Sequence, residues 1–237
     1  MKKGLFLVAG ALVALCAVAE EPKVIIPDST GFKFTDVKVI KTTPVKDQNK
    51  SGTCWCYSTN TFFEDEILRK TGKQVHLSEG FVVYHCYLDK AIKYIRMDGR
   101  INFAEGGSAI DVPYVWKNYG MVPNEVYTGM VNGDKKFATA ELTDALSGYV
   151  NVINKNQMKK LSPAWVKGFK GILDAYMGEL PEKFKWEGKE YTPQSYAASL
   201  PINLDDYISV TSFTHHKFYE PFMLEVADNW LWSSSMN

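Results

Sequence analysis

The segment Pro44-Val45-Lys46-Asp47-Gln48-Asn49-Lys50-Ser51-Gly52-Thr53-Cys54-Trp55-Cys56-Tyr57-Ser58 constrains this chain more than any other. Gln48 stands six positions before Cys54, and Gly52-Thr53 lies between them as a turn. The turn feeds a helix that the spacing predicts over 54–71, because Phe62, Phe63, Glu66, Ile67, Leu68 and Lys70 form a mixed apolar and charged run. Gly72 sits where a helix C-terminal cap belongs. Cys54 therefore falls in a first turn, where backbone N–H groups lack partners and a partial positive charge favours an anion. A thiol attacks a carbonyl only as thiolate, so this placement suits a nucleophile. An attacked carbonyl oxygen gains negative charge, and donors fixed in advance are worth about 3–4 kcal/mol each there. The competing reading is a buried cysteine in an ordinary helix, with Gln48 on a surface loop.

Two further segments accompany the first. Asn102-Phe103-Ala104-Glu105-Gly106-Gly107-Ser108-Ala109 is followed by Tyr119-Gly120-Met121-Val122-Pro123. Paired glycines let a substrate strand approach and bond to the backbone, because no Cβ intervenes. Leu77-Ser78-Glu79 supplies a serine that caps the next helix. Together these segments resemble papain-like cysteine peptidases, in which a Gln, a short loop and Cys-Trp at a helix start occur in this order. The resemblance implies an α+β papain-like fold, present mainly as the helical nucleophile lobe. It implies that Cys54 is the nucleophile, and that the Gln48 amide and the Cys54 N–H form the oxyanion hole. Trp55 would shield the thiolate–imidazolium pair, and Gly106 and Gly107 would bind the substrate main chain. It implies a peptide or protein substrate, with no cofactor and no metal. The position three before the nucleophile, cysteine in papain itself, is Ser51 here. That departure resembles the bleomycin hydrolase and aminopeptidase C branch, whose closed hexamers make a homo-oligomer the matching expectation.

Composition and the N-terminus set outer limits. The chain has 237 residues, enough for one large domain or two lobes. Its 27 basic and 27 acidic side chains cancel, so charge gives no argument for nucleic acid or an anionic membrane. Lys2 and Lys3 precede the apolar run from Gly4 to Val18, and Ala17-Val18-Ala19 reads as a small-x-small cleavage site. This predicts a signal peptide over 1–19 and an exported protein, periplasmic or secreted. Cys16 raises a lipoprotein alternative, which Leu15 disfavours by its size. Cleavage leaves Cys54, Cys56 and Cys86, an odd number that leaves at least one free thiol. Cys56 and Cys86 read as two buried thiols, with a disulfide between them as the alternative.

Four regions follow in order within a peptidase domain over 20–237. Residues 20–43 read as an extended arm with strand character at Val24 to Ile26 and Val37 to Ile40. Within the nucleophile lobe, which runs to 130, further helices are predicted over 79–97 and about 109–119, Pro113 blurring the start of the latter. A helical insertion over 131–181 holds one helix from Phe137 to Gln157. A second opens at Ser162-Pro163, with Trp165, Val166, Phe169, Ile172, Leu173 and Tyr176 at helical spacing. Residues 182–237 read as the start of a β lobe. Phe184-Lys185-Trp186 and Lys189-Glu190-Tyr191 form a hairpin around Glu187-Gly188, and Tyr207 to Phe213 forms a strand.

A cysteine peptidase needs a histidine base, and the chain has four histidines: His76, His85, His215 and His216. His76 and His85 match no catalytic pattern. The resemblance places the base on a late strand, with an orienting Asn before Ser-Trp-Gly. His215 or His216 with Asn229 is the nearest approach, but Lys217-Phe218-Tyr219-Glu220-Pro221 reads as a loop and Asn229-Trp230-Leu231-Trp232 lacks that motif. The chain therefore reads as the N-terminal part of such an enzyme, carrying the nucleophile without its base. One alternative is a non-catalytic peptide-binding protein that keeps the cleft. Another is a metal site of Cys54, Cys56, His215 and His216, whose spacing fits no standard zinc pattern.

Overall fold

The computed structural model describes residues 31, 35–131, 133, 137–156, 160–223, 231 and 235–236. The helices are α1 (Cys54–Thr71), α2 (Glu79–Arg96), α3 (Asp111–Tyr119), α4 (Ala140–Asn154), α5 (Ala164–Met177) and α6 (Pro193–Ser199). The strands are β1 (Phe184–Trp186), β2 (Lys189–Tyr191), β3 (Phe222–Met223) and β4 (Ser235–Met236), with a 3-10 turn at Leu204–Asp206. The chain divides into two units, Met1–Val39 and Ile40–Asn237. The described residues of the first carry no helix or strand, and everything below concerns the second.

Helix α2 is the axis of this unit, packing against α1, α3, α4 and α5. Its sequence explains why. Phe81, Val82, Tyr84, Cys86, Tyr87 and Ala91 are all buried and surround much of its girth. A helix apolar on so many sides needs neighbours on several flanks. Ser78 caps its start, accepting from the Phe81 N–H at 2.9 Å and donating to the Tyr127 carbonyl at 2.5 Å. In α1 the buried positions Trp55, Cys56, Thr59, Asn60, Phe63, Glu64, Ile67 and Leu68 recur every three to four residues. That helix stops at Gly72, in the left-handed conformation, whose N–H bonds the Leu68 carbonyl at 2.8 Å. Pro113 is accommodated in the first turn of α3, where no intrahelical N–H bond is required.

The hairpin forms as the sequence predicts, with Phe184 opposite Tyr191 and Trp186 opposite Lys189. Glu187 and Gly188 both take positive φ, as a two-residue turn of this kind demands. Three expectations are corrected. The helix predicted from Phe137 to Gln157 spans only Ala140–Asn154, because Phe137 to Thr139 dock on the loop before α1 instead. Tyr207 to Phe213 is not a strand. Tyr207 packs its ring on Phe62 and Phe63, while Ile208, Val210 and Phe213 stay exposed and no described strand pairs with them. Val37 to Ile40 is likewise irregular and exposed. Val24 to Ile26 and the signal peptide predicted over 1–19 lie outside the described residues.

An ion cluster holds the segment entering α1. Lys46 Nζ lies 2.6 Å from Glu64 Oε1 on α1 and 2.6 Å from Glu79 Oε1 on α2. Glu64 Oε1 also accepts the Leu77 N–H at 2.7 Å. Burial pushes the Glu64 carboxyl up to about 7, against the opposing pull of Lys46. The Lys46 ammonium is lowered by burial, but Glu79 and Glu64 outweigh this and raise it. Removing one partner of a buried pair strands the others, so Lys46→Met should cost about 3–5 kcal/mol in thermal or urea unfolding. Native Glu64 keeps a proton that the unfolded chain loses near pH 4.3, so its contribution to stability is largest in acid and falls as pH rises through about 7. The excess in Tm of the wild type over Glu64→Gln should therefore shrink between pH 5 and pH 7 and level off above. An excess that grows with pH contradicts this assignment.

Candidate active site

The loop before α1 is built from short-range bonds that its sequence encodes. Asp47 Oδ1 accepts the Asn49 N–H at 2.8 Å, and Asn49 adopts positive φ, a conformation asparagine tolerates. Ser51 Oγ donates to the Gln48 carbonyl at 2.8 Å, while Gln48 Nε2 donates to the Ser51 carbonyl at 2.7 Å. Gln48 and Ser51 thus grip each other on the approach to Cys54. One amide hydrogen of Gln48 is used in this way; an amide nitrogen carries two.

Helix α1 begins at Cys54. The Thr53 carbonyl accepts the N–H groups of Cys56 and Tyr57 at 2.9 and 3.2 Å. The Cys54 N–H has no partner among the described residues, as first-turn geometry requires. The Cys54 thiol is exposed, whereas Cys56 and Cys86 are buried. Cys56 Sγ points inward to the Glu79 carbonyl at 3.8 Å. Burial raises both inner thiols well above the ordinary range, which keeps them protonated. Two cysteines two positions apart therefore occupy opposite chemical environments, because positions i and i+2 lie about 200° apart around a helix.

Trp55 is buried beside Cys54, and its Nε1–H donates to the Glu105 carbonyl at 3.0 Å. Gly107 lies against the indole. A Cβ on Gly107 would stand 2.7 Å from Trp55 Cε2 and 2.9 Å from Asp111 Oδ2, so a side chain here displaces the rim. Lys90 supports the same rim from α2. Its Nζ donates to the Ala104 and Gly106 carbonyls and lies 5.7 Å from the Trp55 ring centre. Burial lowers the Lys90 ammonium. Asp111 Oδ2 accepts the Ser108 N–H at 3.0 Å, and Oδ1 accepts the Leu231 N–H at 3.0 Å. The Asp111 carboxyl is raised by burial.

Cys54, Trp55 and Gly107 are thus brought into one patch, with Gly106 beside it and Gln48 in the adjoining loop. The histidines are not. Among the described residues no histidine lies within hydrogen-bonding distance of Cys54 Sγ. His85 is half-buried on α2, stacked on Tyr119 at 4.0 Å and pushed down to about 3 by burial, then by Lys170. His76 faces Glu125 at 3.8 Å. His215 stacks on Phe213 and His216 on Phe222, at 5.5 and 3.8 Å. Asn229 lies outside the described residues. A four-ligand metal site does not form from Cys54, Cys56, His215 and His216. The one described group with metal-ligand spacing is Glu64, His76 and Glu79, and Lys46 already bonds both of its carboxylates.

Sequence reasoning missed Lys46, Lys90 and Glu105. Lys90 carried a readable signal, a charge at helical spacing from Val83 and Tyr87 on a buried face. Nothing local marked Glu105, whose partners are distant in sequence.

Residues 29–168 match the family described as papain family cysteine protease. That match spans more than half of the chain, which therefore belongs to this family. Procathepsin L of Felis catus is 27% identical over 152 residues, covering 64% of this chain and 42% of that protein. Digestive cysteine proteinase 1 of Homarus americanus is 38% identical over 88 residues, covering 32% of this chain and 27% of the relative. The chain thus spans less than half the length of these curated relatives. The crystal structure of PepW from Lactobacillus rhamnosis HN001 superposes with a TM-score of 0.53 at 21% identity, over 72% of this chain and 47% of PepW. The fold is papain-like, of the α+β class, and the described part is its helix-rich portion. No described helix is long and apolar enough to cross a membrane.

The rim geometry makes a direct prediction. Gly107→Ala should destabilise the protein by about 1–3 kcal/mol, the range for overpacking a filled site. Gly171→Ala in α5, where a new Cβ meets nothing within 4 Å, should instead be neutral or stabilising by up to about 1 kcal/mol. Thermal melts of the two variants check the pair.

Proposed function

We propose that this chain carries the nucleophile of a cysteine peptidase that cleaves peptide bonds through a thioester at Cys54. The exposed Cys54 thiol at a helix start, where the Cys54 N–H has no partner among the described residues, is the observation that carries this reading. In the proposed reaction Cys54 Sγ adds to the substrate carbonyl. The oxyanion is met by the Cys54 N–H and the second hydrogen of the Gln48 amide. The amine leaves with a proton from a histidine base, and water releases the acid from the thioester. Gly106 and Gly107 offer main-chain groups to an extended peptide, and Trp55 keeps water from the sulfur. No described histidine stands at Cys54 to serve as that base, His215 and His216 stacking on Phe213 and Phe222 instead. No metal or other cofactor enters the scheme.

We further place the protein near the bleomycin hydrolase and aminopeptidase C branch. Two features favour this: Ser51, hydrogen-bonded to Gln48 and Thr53, where papain has a cysteine, and the helix pair α4 and α5 after the nucleophile lobe. Removal of single residues from the amino end is the activity proposed with it, together with export directed by residues 1–19.

The test separates the nucleophile from the base. A peptidyl epoxide should label the protein once, at Cys54. Cys54→Ala should abolish labelling and any peptide hydrolysis, whereas Cys56→Ala should retain both, because Cys56 is buried. Hydrolysis that survives Cys54→Ala overturns the proposal. Labelling without turnover would favour the non-catalytic, peptide-binding reading.

A further inference from the structure

One acidic side chain outside the proposed chemistry joins three parts of the molecule. Glu105 Oε2 accepts the Gly52 N–H, two residues before Cys54. Its Oε1 accepts the Thr139 hydroxyl at 2.5 Å and the Thr143 hydroxyl at 2.8 Å, at the start of α4. Its carbonyl accepts the Trp55 indole N–H at 3.0 Å, one residue after Cys54. The nucleophile is thus held on both sides by a single residue.

We propose that Glu105 is a positioning residue for Cys54, fastening the turn before the nucleophile to the inserted helix α4. The inference rests on the reading of Cys54 as nucleophile, and the residue types around Glu105 carry it. An ionised carboxylate is purely an acceptor, with room for several donors, and bonds to it are about twice as strong as neutral ones. Three donors converge on this one, and no lysine or arginine pairs with it among the described residues. Gly52 fits the same purpose. A Cβ there would stand 2.7 Å from Glu105 Cβ, so only glycine lets the carboxylate reach the main chain. A second set of bonds joins the same two segments. The Asn49 amide donates to the Phe137 carbonyl at 3.0 Å, and the Thr139 N–H donates to the Lys50 carbonyl at 3.4 Å. The loop therefore rests on the threshold of α4, and Glu105 clamps its far end. In papain a cysteine stands at the position of Ser51; here hydrogen bonds through Ser51 and Glu105 fix the loop.

The experiment uses the full chain and two readouts. Hydrogen exchange over residues 49–55 reports the clamp whether or not the protein is a peptidase. Labelling of Cys54 by a peptidyl epoxide, compared with iodoacetamide, reports how well the thiol is aimed at a bound peptide. Glu105→Ala should speed exchange at Gly52 and slow the maximal rate of epoxide labelling by roughly 10- to 100-fold, the cost of a misplaced reacting group. Iodoacetamide labelling and the epoxide concentration giving half-maximal rate should change by less than about threefold, since the thiol and the groove remain. Glu105→Gln, which keeps an acceptor for Gly52, should recover most of the rate. Thr139→Val with Thr143→Val should reproduce part of the loss. Wild-type exchange and labelling in Glu105→Ala overturn the proposal. If that variant unfolds, iodoacetamide will also reach Cys56 and Cys86, and the threonine pair then decides: unchanged exchange at Gly52 there overturns it. A wild type whose Gly52 amide is protected but whose Cys54 resists the epoxide defeats the peptidase reading, and exchange alone then judges the clamp.

Discussion

The buried cluster of Lys46, Glu64 and Glu79 is the interaction on which the geometry of the site depends. Chain entering α1 must turn through a tight loop and deliver Cys54 to the surface, yet the loop has little apolar area with which to anchor itself. Lys46 supplies the anchor by reaching two carboxylates on two different helices. Taking such charges out of water costs several kcal/mol per ion, so the cluster is no simple source of stability. What it contributes is location. An ammonium that must meet Glu64 and Glu79 together has one place to go, and that place sets where Gln48, two residues on, begins its turn. The Leu77 N–H on Glu64 extends the same constraint to the start of α2.

The three described cysteines show how burial sorts chemically identical groups. Cys56 and Cys86 face the interior shared by α1 and α2, where desolvation penalises the thiolate and the solvent is excluded. Cys54 shares the helix and nearly the same position along it, but stands at the open end, with an unpaired N–H of its own. The difference arises from the helix turning by about 100° per residue. A sequence with thiols two positions apart can therefore carry one exposed and one buried sulfur without any special neighbour for either.

Much of this arrangement was legible in the chain because its determinants are local. Ser78 and Gly72 marked the ends of helices, the apolar spacing of α1 and α5 marked their faces, and Glu187-Gly188 marked the hairpin. The Tyr207 to Phe213 segment failed for an instructive reason. Alternating β-branched and aromatic residues describe a half-buried surface only when a sheet exists to cover one face, and here Tyr207 alone finds a packing site. The trimmed start of α4 has a similar cause. Phe137, Ala138 and Thr139 continue a helical pattern, but the Asn49 side-chain amide and the Lys50 carbonyl compete for their backbone groups and win. Within the site, Cys54, Gln48, Gly106 and Gly107 were visible as a motif. Lys46, Lys90 and Glu105 were not, since each acts on partners that only folding brings near.

These hidden residues share a logic. The visible motif consists of groups that the proposed function turns toward a substrate, and such groups cannot be packed on every side. Their positions must then be set from behind. Lys46 holds the loop upstream of Cys54, Lys90 holds the carbonyls of the glycine rim, and Glu105 joins rim, loop and α4. Lys90 and Glu105 bond main-chain or hydroxyl groups, and Lys46 bonds two carboxylates on neighbouring helices. Main-chain atoms are present whatever the side chain, so a charged residue that grips them can fix a loop whose own residues are committed to chemistry. The helix pair α4 and α5 attached at this point is then more than an addition to the surface. Through Thr139 and Thr143 it becomes one wall of the support behind the turn that carries Cys54.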